Sequence, residues 1–458
     1  MERVLSKEVE QQLDKEVTLF GWVSARRDHG KIIFIDLRDR WGITQIVFDD
    51  KTYETASKLS AEDVIKVFGT VKKRPEGLVN PKILSGKVEI QAKNLEILAE
   101  SITPPFEIND TSKISEDLRM KYRYLDLRSD RMKNNLKIRS DIIKFIRDRL
   151  ISEDFLEIET PLLTKSTPEG ARDYLVPSRL HAGKFYALPQ SPQQFKQLLM
   201  VSGVEKYFQI ARCLRDEDPR GDRQPEHTQL DMELSFVSQK DVMEISEVLV
   251  KEIIKEFCPK KNIQTGSFPV LTYKDAISKY QTDRPDLRKN KNNPDELAFC
   301  WIIDFPFFEK DKEEKWTFTH NPFSDPMPED KEKILNGEIE GIRTTQYDLV
   351  LNGEEIGGGS IRSHKTEVLS KVFEILGYEK ETINDRFGHM LEAFKYGVPP
   401  HGGIAWGLDR LIMIIQNEPS IREVIAFPKT GDGRDLLMNA PSNVDESQLK
   451  ELNIKISK

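Results

Sequence analysis

Arg212-Cys-Leu-Arg215-Asp216-Glu217-Asp218-Pro-Arg220-Gly-Asp222-Arg223-Gln224-Pro-Glu226-His227-Thr-Gln229-Leu230-Asp231-Met232-Glu233 packs both charge signs between two strand-like runs. Beyond it, Gln229, Asp231, Glu233 and Ser235 alternate with Leu230, Met232, Leu234 and Phe236. That alternation predicts a half-buried strand with one polar and one apolar face. A hairpin loop holding Arg215, Arg220 and Arg223 beside Asp216, Glu217, Asp218 and Asp222 is costly unless it grips a polyanion with a cation nearby. The plain alternative is a solvated charged hairpin.

A second hairpin is written in Tyr347-Asp348-Leu-Val-Leu-Asn352-Gly353-Glu354-Glu355-Ile-Gly357-Gly358-Gly359-Ser-Ile-Arg362. Asn-Gly between alternating apolar residues is a strong signal for a two-residue turn. Such a turn pairs Leu351 with Glu354 and Asp348 with Gly357, leaving Asp348 and Glu355 as diagonal neighbours on one face, about 7–8 Å apart. Two carboxylates so placed repel unless a cation lies between them, and Mg²⁺ held by one or two carboxylates and substrate phosphates is the natural occupant. A pair of solvated acids is the alternative. Three consecutive glycines mark close approach of a ligand or another backbone. Simple alternation puts Arg362 on the face opposite Glu355, so a bulge within the glycine run is expected if both line one site.

In Gly402-Gly-Ile-Ala-Trp-Gly407-Leu408-Asp409-Arg410-Leu-Ile-Met-Ile-Ile, small residues lead into an apolar helix with one arginine at its head. An arginine there opposes the helix dipole and is expected to meet an anion, or a local acid.

The 458 residues are 32% charged and 38% apolar with a net charge of −8. This suits a soluble protein of several domains rather than a disordered chain, and argues against nonspecific coating of nucleic acid. Arg26-Arg27, Lys72-Lys73-Arg74 and the span from Arg123 to Arg131 could still supply local phosphate contacts. No apolar run approaches the ~18 residues that cross a bilayer, and Met1-Glu-Arg-Val-Leu-Ser-Lys-Glu has no apolar signal core. Cys213, Cys258 and Cys300 have neither metal-like spacing nor a disulfide pattern. A cytoplasmic location with no membrane partner is the expectation.

Five strand-like runs, Val17–Ala25, Ile32–Leu37, Ile43–Phe48, Val64–Val71 and Val88–Leu98, predict a small barrel of the OB type over residues 1–103. Phe34 suits base stacking, whereas Trp22 reads as core. Residues 104–130 read as a hinge, with Ile102-Thr-Pro-Pro-Phe106 breaking regular structure and Tyr122-to-Arg128 basic. Ile138, Ile142, Phe145, Ile146 and Leu150 mark one face of a helix, followed by a strand at Phe155–Thr160 that Pro161 ends. This opens a mixed region, 131–430, in which 283–297 reads as a polar surface loop. Residues 431–458 form an extension of unread chemistry.

Together these segments resemble the class II aminoacyl-tRNA synthetases, from the barrel to about Thr430. The Arg212–Glu233 stretch is similar to their motif 2 in the wording of the aspartyl branch, the helix–strand–Pro161 unit to motif 1, and Gly402–Arg410 to motif 3. Ser166-Thr-Pro-Glu169-Gly-Ala-Arg-Asp173 resembles that branch's flipping loop, and Gln190-Ser-Pro-Gln193-Gln-Phe-Lys196 its aspartate-pocket segment.

The resemblance implies an OB-fold anticodon-binding domain followed by a class II catalytic domain (α/β in composition, α+β in order), built on an antiparallel sheet flanked by helices, in a homodimer. The implied reaction joins L-aspartate to tRNA(Asp), with ATP as co-substrate and Mg²⁺ as cofactor. Arg215 and Arg410 are the implied catalytic residues. ATP falls to Arg215, Asp216, Glu217, Gln224, His227, Glu355, Gly407, Leu408, Asp409 and Arg410. Glu169, Gln193, Lys196, Arg215, Asp231, His320 and Arg362 receive aspartate, and Asp348 with Glu355 the metal. Arg27, Phe34 and Gln45 are the implied tRNA contacts. Members that charge both tRNA(Asp) and tRNA(Asn) tend to carry histidine and glycine where His29 and Gly77 stand, so tRNA(Asn) is an expected second substrate and an amidotransferase an expected partner.

The chain departs from the bacterial pattern in three places. It lacks a large insertion domain, a second histidine is replaced by Asn321 beside His320, and His227 stands where an aromatic stacks on adenine. An asparagine- or lysine-specific enzyme, or a non-catalytic RNA-binding relative, are the alternatives; Lys196 with Arg362 argues against lysine.

Overall fold

A computed structural model describes residues 2–49, 51–166, 170–218, 221–311 and 313–457. The chain divides into two compact units, Met1–Asp130 and Arg131–Lys458.

In the first unit, strands β1 (Glu16–Asp28), β2 (Ile33–Arg38), β3 (Ile43–Phe48), β4 (Val64–Lys73) and β5 (Val88–Ala99) close into a barrel in the order β1-β2-β3-β5-β4. All five expected runs become strands, each within a few residues of its expected ends. The 13-residue β1 pairs with β4 through its first half and β2 through its second, and a register shift between Val23 and Ala25 lets it bend. Alternate residues, among them Val17, Leu19, Ile33, Ile35, Ile46, Val67 and Ile90, fill the interior. Trp22 is not among them, contrary to expectation. It is half-buried on the outside, with the Arg128 guanidinium 5.3 Å from its ring centroid. The segment expected as a basic hinge is locally neutralised. Arg123 Nη1 meets the buried Asp126 at 2.5 Å, and Arg128 Nη1 meets Glu62 at 2.7 Å. These guanidiniums are committed to carboxylates rather than offered to phosphates, and Arg27 is likewise paired with Asp36 at 2.8 Å.

The second unit is built on eight strands: β6 (Leu156–Glu157), β7 (Lys206–Leu214), β8 (Glu226–Ser235), β9 (Val270–Thr272), β10 (Phe299–Ile303), β11 (Gln346–Leu351), β12 (Glu354–Ile361) and β13 (His401–Gly407). Their order is β9-β10-β11-β12-β13-β8-β7-β6. The inner pairings are antiparallel, and only the two edge strands β9 and β6 pair in parallel, so the sheet is mixed. Helices α1 (Asp130–Ile151) and α3 (Gln239–Phe257) pack on one face, where Ile142, Ile146, Val250 and Ile253 meet Leu230, Met232, Leu349 and Trp406. Helix α2 (Gln193–Val201) contacts β8 and β7 and contributes Lys196 to the cavity on the other face.

The strand at 155–160 is shorter than expected, spanning Leu156–Glu157 at the sheet edge, with Leu156, Leu162 and Leu163 about half exposed. No helix among the described residues is long and apolar enough to cross a membrane.

Candidate active site

The alternating strand of motif 2 is β8, but its polar face is not solvated. Gln229, Asp231 and Glu233 are buried like Leu230, Met232 and Leu234; Gln229 and Asp231 line a cavity of about 310 Å³ and Glu233 lies beside it, against Lys196 and Arg362. Charges so buried must be paired. Lys196 Nζ reaches Asp231 Oδ1 at 2.7 Å and Glu233 Oε2 at 3.1 Å. Arg362 Nε donates to Glu233 Oε1 at 2.9 Å, Nη2 to Glu233 Oε2 at 3.2 Å and to the Gly403 carbonyl at 3.4 Å, and Nη1 to Ser360 Oγ at 2.8 Å. Gly403 is required here, since a Cβ on it would collide with the Glu233 carboxylate.

Donor accounting shows what the cavity offers. A lysine ammonium has three N–H donors and a guanidinium five, so one on Lys196 and one on Arg362 remain after these contacts. On the other side, Asp231 Oδ2 is buried without a hydrogen-bond partner among the described residues. Burial raises the Asp231 pKa, helped by Glu233 and opposed by Lys196. Burial also works against ionisation of Glu233, yet Arg362 and Lys196 hold it down to about 2.

The Asn352-Gly353 turn joins β11 to β12, pairing Leu351 with Glu354 as expected. The register then shifts: Val350 faces Glu355 but Leu349 faces Gly357, so Asp348 opposes Gly358 rather than Gly357. The bulge falls at Ile356, before the glycine run rather than within it, and brings Arg362 to the same cavity as Glu355. The glycines are there for close approach. A Cβ on Gly357 would lie 2.6 Å from Trp406 Cδ1, and one on Gly359 would strike the Gly403 carbonyl.

At Gly358 a Cβ would sit 2.9 Å from Asp348 Oδ1 and 3.3 Å from Glu355 Oε1. Both carboxylate oxygens therefore border one small space that only glycine leaves open. Burial and then Asp348 raise the Glu355 pKa, against the pull of Arg410, His320 and Arg215. Two hard oxygen donors around a gap, one disfavoured as an anion, fit a divalent cation that keeps waters and phosphates as further ligands. The pair does not stand alone. Gln346 Nε2 donates to Asp348 Oδ1 at 2.7 Å, and His320 Nε2 lies 3.1 Å from Asp348 Oδ2. Burial disfavours the His320 imidazolium, but Asp348 and Glu355 lift its pKa to about 9. His320 thus borders the cavity as a partner of Asp348, while Asn321 Oδ1 accepts from Phe323 N at 3.0 Å and shapes the turn.

A neighbouring cavity of about 210 Å³ is lined by Glu217, Gln224, His227, Gly407 and Arg410, and meets the first at Arg215, Gln229, Glu355 and Ala405. No carboxylate pairs with Arg215 among the described residues; its Nε donates to the Gln190 carbonyl at 3.4 Å, so its charge faces the junction. Arg410 stands at the head of α6 (Leu408–Ile415), with α4 (Thr366–Ile375) and α5 (Lys380–Phe394) preceding it. It is held by the Glu355 carbonyl and by Asp222 Oδ2 at 3.1 Å. Gly402–Gly407 leads directly into that helix, as expected, and does so as the strand β13. Burial, with Arg215, Arg410 and Arg212 nearby, pushes His227 down to about 3, so the ring is a neutral aromatic surface.

Leu408 and Asp216, expected at the nucleotide, lie outside both cavity linings. Leu408 is fully buried in the core. Asp409 lines the 210 Å³ cavity, as expected, while its carboxylate accepts from Thr228 N at 2.8 Å and pairs with Arg139, anchoring α6 to β8 and α1. Asp216 bonds the backbone of Arg172 and lies outside the cavity lining. Gln193 borders the 310 Å³ cavity, as expected, and bonds Gln197 at 3.0 Å. Glu169 and Arg220 lie outside the described residues. Glu233, Gln346 and Gln190 were missed; for Glu233 the signal was present, as it shares the polar phase of Asp231.

On the barrel, Arg27, Phe34 and Gln45 come from three adjacent strands, with Arg27 opposite Phe34 and Gln45 opposite Asp36. Arg27 is bonded to Asp36, and Gln45 Nε2 to Glu89 at 2.9 Å. His29, exposed in the β1–β2 turn, meets Phe34 edge to face at 5.6 Å. Gly77 is exposed, with nothing within 4 Å of where a Cβ would be.

Residues 115–431 match the family described as tRNA synthetases class II (D, K and N), and residues 17–103 match the OB-fold nucleic acid binding domain. An aspartate–tRNA(Asp/Asn) ligase of Halothermothrix orenii is 42% identical over 97% of both chains. One of Thermotoga neapolitana is 42% identical over 96% of this chain and 97% of its own. The first alignment runs over 577 positions although this chain has 458 residues, so the relative carries more than a hundred residues with no counterpart here. The asparaginyl-tRNA synthetase of Pyrococcus horikoshii, solved with asparaginyl-adenylate, shares the fold at a TM-score of 0.75 and 23% identity, over 94% of this chain and 98% of that one. The chain belongs to the class II tRNA synthetases of the D, K and N group.

Proposed function

We propose that this chain is an aspartate–tRNA(Asp/Asn) ligase. It activates L-aspartate with ATP and transfers the aspartyl group to the 3′ end of tRNA(Asp) and tRNA(Asn). The observation that carries the reading is the pair of unspent donors on Lys196 and Arg362, both buried and aimed into one cavity. Two donors on cations suit the two oxygens of a β-carboxylate, whereas the amide nitrogen of asparagine would turn a donor toward one of them. Asp231 Oδ2 is the complementary acceptor for the substrate ammonium, with Glu169 as its proposed companion. The relatives named above as Asp/Asn ligases support the same substrate and the double tRNA specificity.

Arg215 lies where the two cavities meet, so the α-carboxylate and the α-phosphate converge on one guanidinium. Attack of the carboxylate oxygen on the α-phosphorus forms the aspartyl-adenylate and expels pyrophosphate. Alignment and charge neutralisation suffice; no general base is needed. Neutral His227 stacks on adenine, Glu217 and Gln224 border the nucleotide, and Arg410 meets the phosphates in exchange for Asp222. Asp348 and Glu355 hold Mg²⁺, which supplies neutralisation of phosphate charge when bound.

The barrel face carrying Arg27, Phe34 and Gln45 receives the anticodon, and the half-exposed leucines of the β6 edge join two copies in a cytoplasmic homodimer. ATP–pyrophosphate exchange with aspartate, asparagine and lysine in turn tests the amino-acid assignment. Exchange with aspartate alone is expected, and exchange with either of the others in its place overturns it.

A further inference from the structure

Gln193 and Gln197 are four residues apart in α2, on one face of the helix. Gln193 borders the aspartate cavity, whereas Gln197 is fully buried behind it. His401, the first residue of β13, is equally buried and lies outside the cavity lining. These three side chains and one backbone carbonyl form a single line of hydrogen bonds. Gln193 Nε2 donates to Gln197 Oε1 at 3.0 Å, and Gln197 Nε2 lies 3.2 Å from His401 Nε2. His401 Nδ1 lies 2.8 Å from the Pro399 carbonyl oxygen.

The direction of the line is fixed from its far end. A carbonyl oxygen can only accept, so the His401 proton sits on Nδ1. In the neutral ring Nε2 is then an acceptor, and Gln197 must turn its NH2 group to it. That leaves Gln197 Oε1 for Gln193, which must present its own NH2 group, and Gln193 Oε1 remains for the cavity. Burial keeps the ring neutral; Glu233 and the Pro399 carbonyl oppose this, while Arg362 and His364 assist it. Glu233 faces the ring from β8, and Arg362 and His364 from the chain just past β12. From α5 comes the Phe394 ring, edge to face at 6.1 Å, and from α2 the neutral Gln197.

We propose that His401 is a positioning residue for amino-acid recognition: through Gln197 it holds the Gln193 amide with its oxygen toward the cavity, where it accepts from the substrate ammonium alongside Asp231. The proposal rests on the reading of this cavity as the aspartate site. An apolar side chain at 401 would leave the Gln197 NH2 group buried without an acceptor, which costs more than an idle carbonyl. Gln197 would then turn that group to Gln193 Oε1, and Gln193 would offer its own NH2 to a cation. One side chain outside the cavity thus sets the sign of the dipole that meets the ammonium.

ATP–pyrophosphate exchange by the full chain tests this through the KM of aspartate and of ATP in His401→Leu, Gln193→Leu and the double variant. Each single variant should raise the aspartate KM roughly tenfold, the worth of a hydrogen bond to a charged group, and leave the ATP KM unchanged. The double variant should be no worse than Gln193→Leu, because His401 then has nothing to act through. Nitrogen-15 spectra of the unmutated enzyme, labelled at its seven histidines, read the tautomer without any variant. His401, identified by its contact with the Phe394 ring, should be neutral with its proton on Nδ1; should His401→Leu not fold, this spectrum decides. Losses that multiply in the double variant overturn the proposal. So does an aspartate KM unchanged by either single variant, a proton on Nε2, or a charged ring. Exchange driven by asparagine or lysine in place of aspartate would instead overturn the reading of the cavity on which the proposal stands.

Discussion

Glu233 holds Arg362 through both carboxylate oxygens, Oε1 to Nε at 2.9 Å and Oε2 to Nη2 at 3.2 Å, at the floor of a cavity where neither is exposed. The guanidinium is thereby aimed, with one N–H left for substrate. Arg362→Ala removes that donor and leaves buried Glu233 with Lys196 as its one remaining cationic partner among the described residues. Losing one partner of a buried pair costs about 3–5 kcal/mol, so aspartate kcat/KM should fall by at least roughly 100-fold while ATP affinity holds. Glu233→Gln should lower the urea midpoint and raise the aspartate KM together. Unchanged aspartate kinetics in Arg362→Ala would remove the cavity from amino-acid recognition.

His227 and Glu233 give the apoenzyme two distinct acid sensitivities. His227 titrates near 3 folded against 6.5 as a free side chain. The unfolded chain therefore binds more protons between those values, and stability is lost as the pH falls from 6.5. Glu233 titrates near 2 folded against 4.5 free, so its contribution is present above 4.5 and lost below it. His227→Phe should flatten the fall in thermal midpoint from pH 6.5 down to about 3, leaving below 4.5 the fall that Glu233 contributes. Parallel curves for the two proteins would contradict the assignment of a neutral, half-buried ring.

Gly358→Ala tests the metal site without altering a ligand. The added methyl would stand 2.9 Å from Asp348 Oδ1 and 3.3 Å from Glu355 Oε1, in the space the cation would share. The Mg²⁺ concentration for half-maximal pyrophosphate exchange should rise roughly 10–100-fold, the usual effect of disturbing a metal's surroundings. An unchanged Mg²⁺ requirement would place the ion elsewhere.

Much of this site was legible because strands write their faces at period two. Asp231 could be placed from alternation alone, and the Asn352-Gly353 turn fixed the pairing of Leu351 with Glu354. A bulge was expected on this strand, but its place at Ile356, ahead of the glycine run, could not be read. Ile356 occupies an apolar phase like any other, and what leaves no room for side chains at Gly357 and Gly359 lies in a neighbouring strand, at Trp406 and the Gly403 carbonyl. The same limit hid the depth of burial of Glu233, because a polar phase reads as solvated unless its cationic partners, Lys196 and Arg362, are known to fold over it. Asp409 borders the expected cavity, but its pairing was not legible. It adjoins Arg410 in sequence, but the first turn of α6 directs it toward Thr228 N and Arg139.

The barrel turns should decide which tRNAs are charged. His29 rests on Phe34, and Gly77 has open space around its Cβ position, so neither His29→Leu nor Gly77→Lys should disturb the fold. The double variant should lower charging of tRNA(Asn) by about 1–3 kcal/mol relative to tRNA(Asp), the worth of one base read. Equal loss on both tRNAs would make these turns general contacts rather than discriminating ones.

The most direct measurement of the whole account is aspartylation of purified tRNA(Asp) and tRNA(Asn), each alone, with labelled aspartate, ATP and Mg²⁺. Both should be charged, and labelled asparagine should charge neither. Charging of tRNA(Asn) with asparagine, or the absence of any aspartyl-tRNA, would contradict the account; charging of tRNA(Asp) alone would confine it to a single-tRNA enzyme.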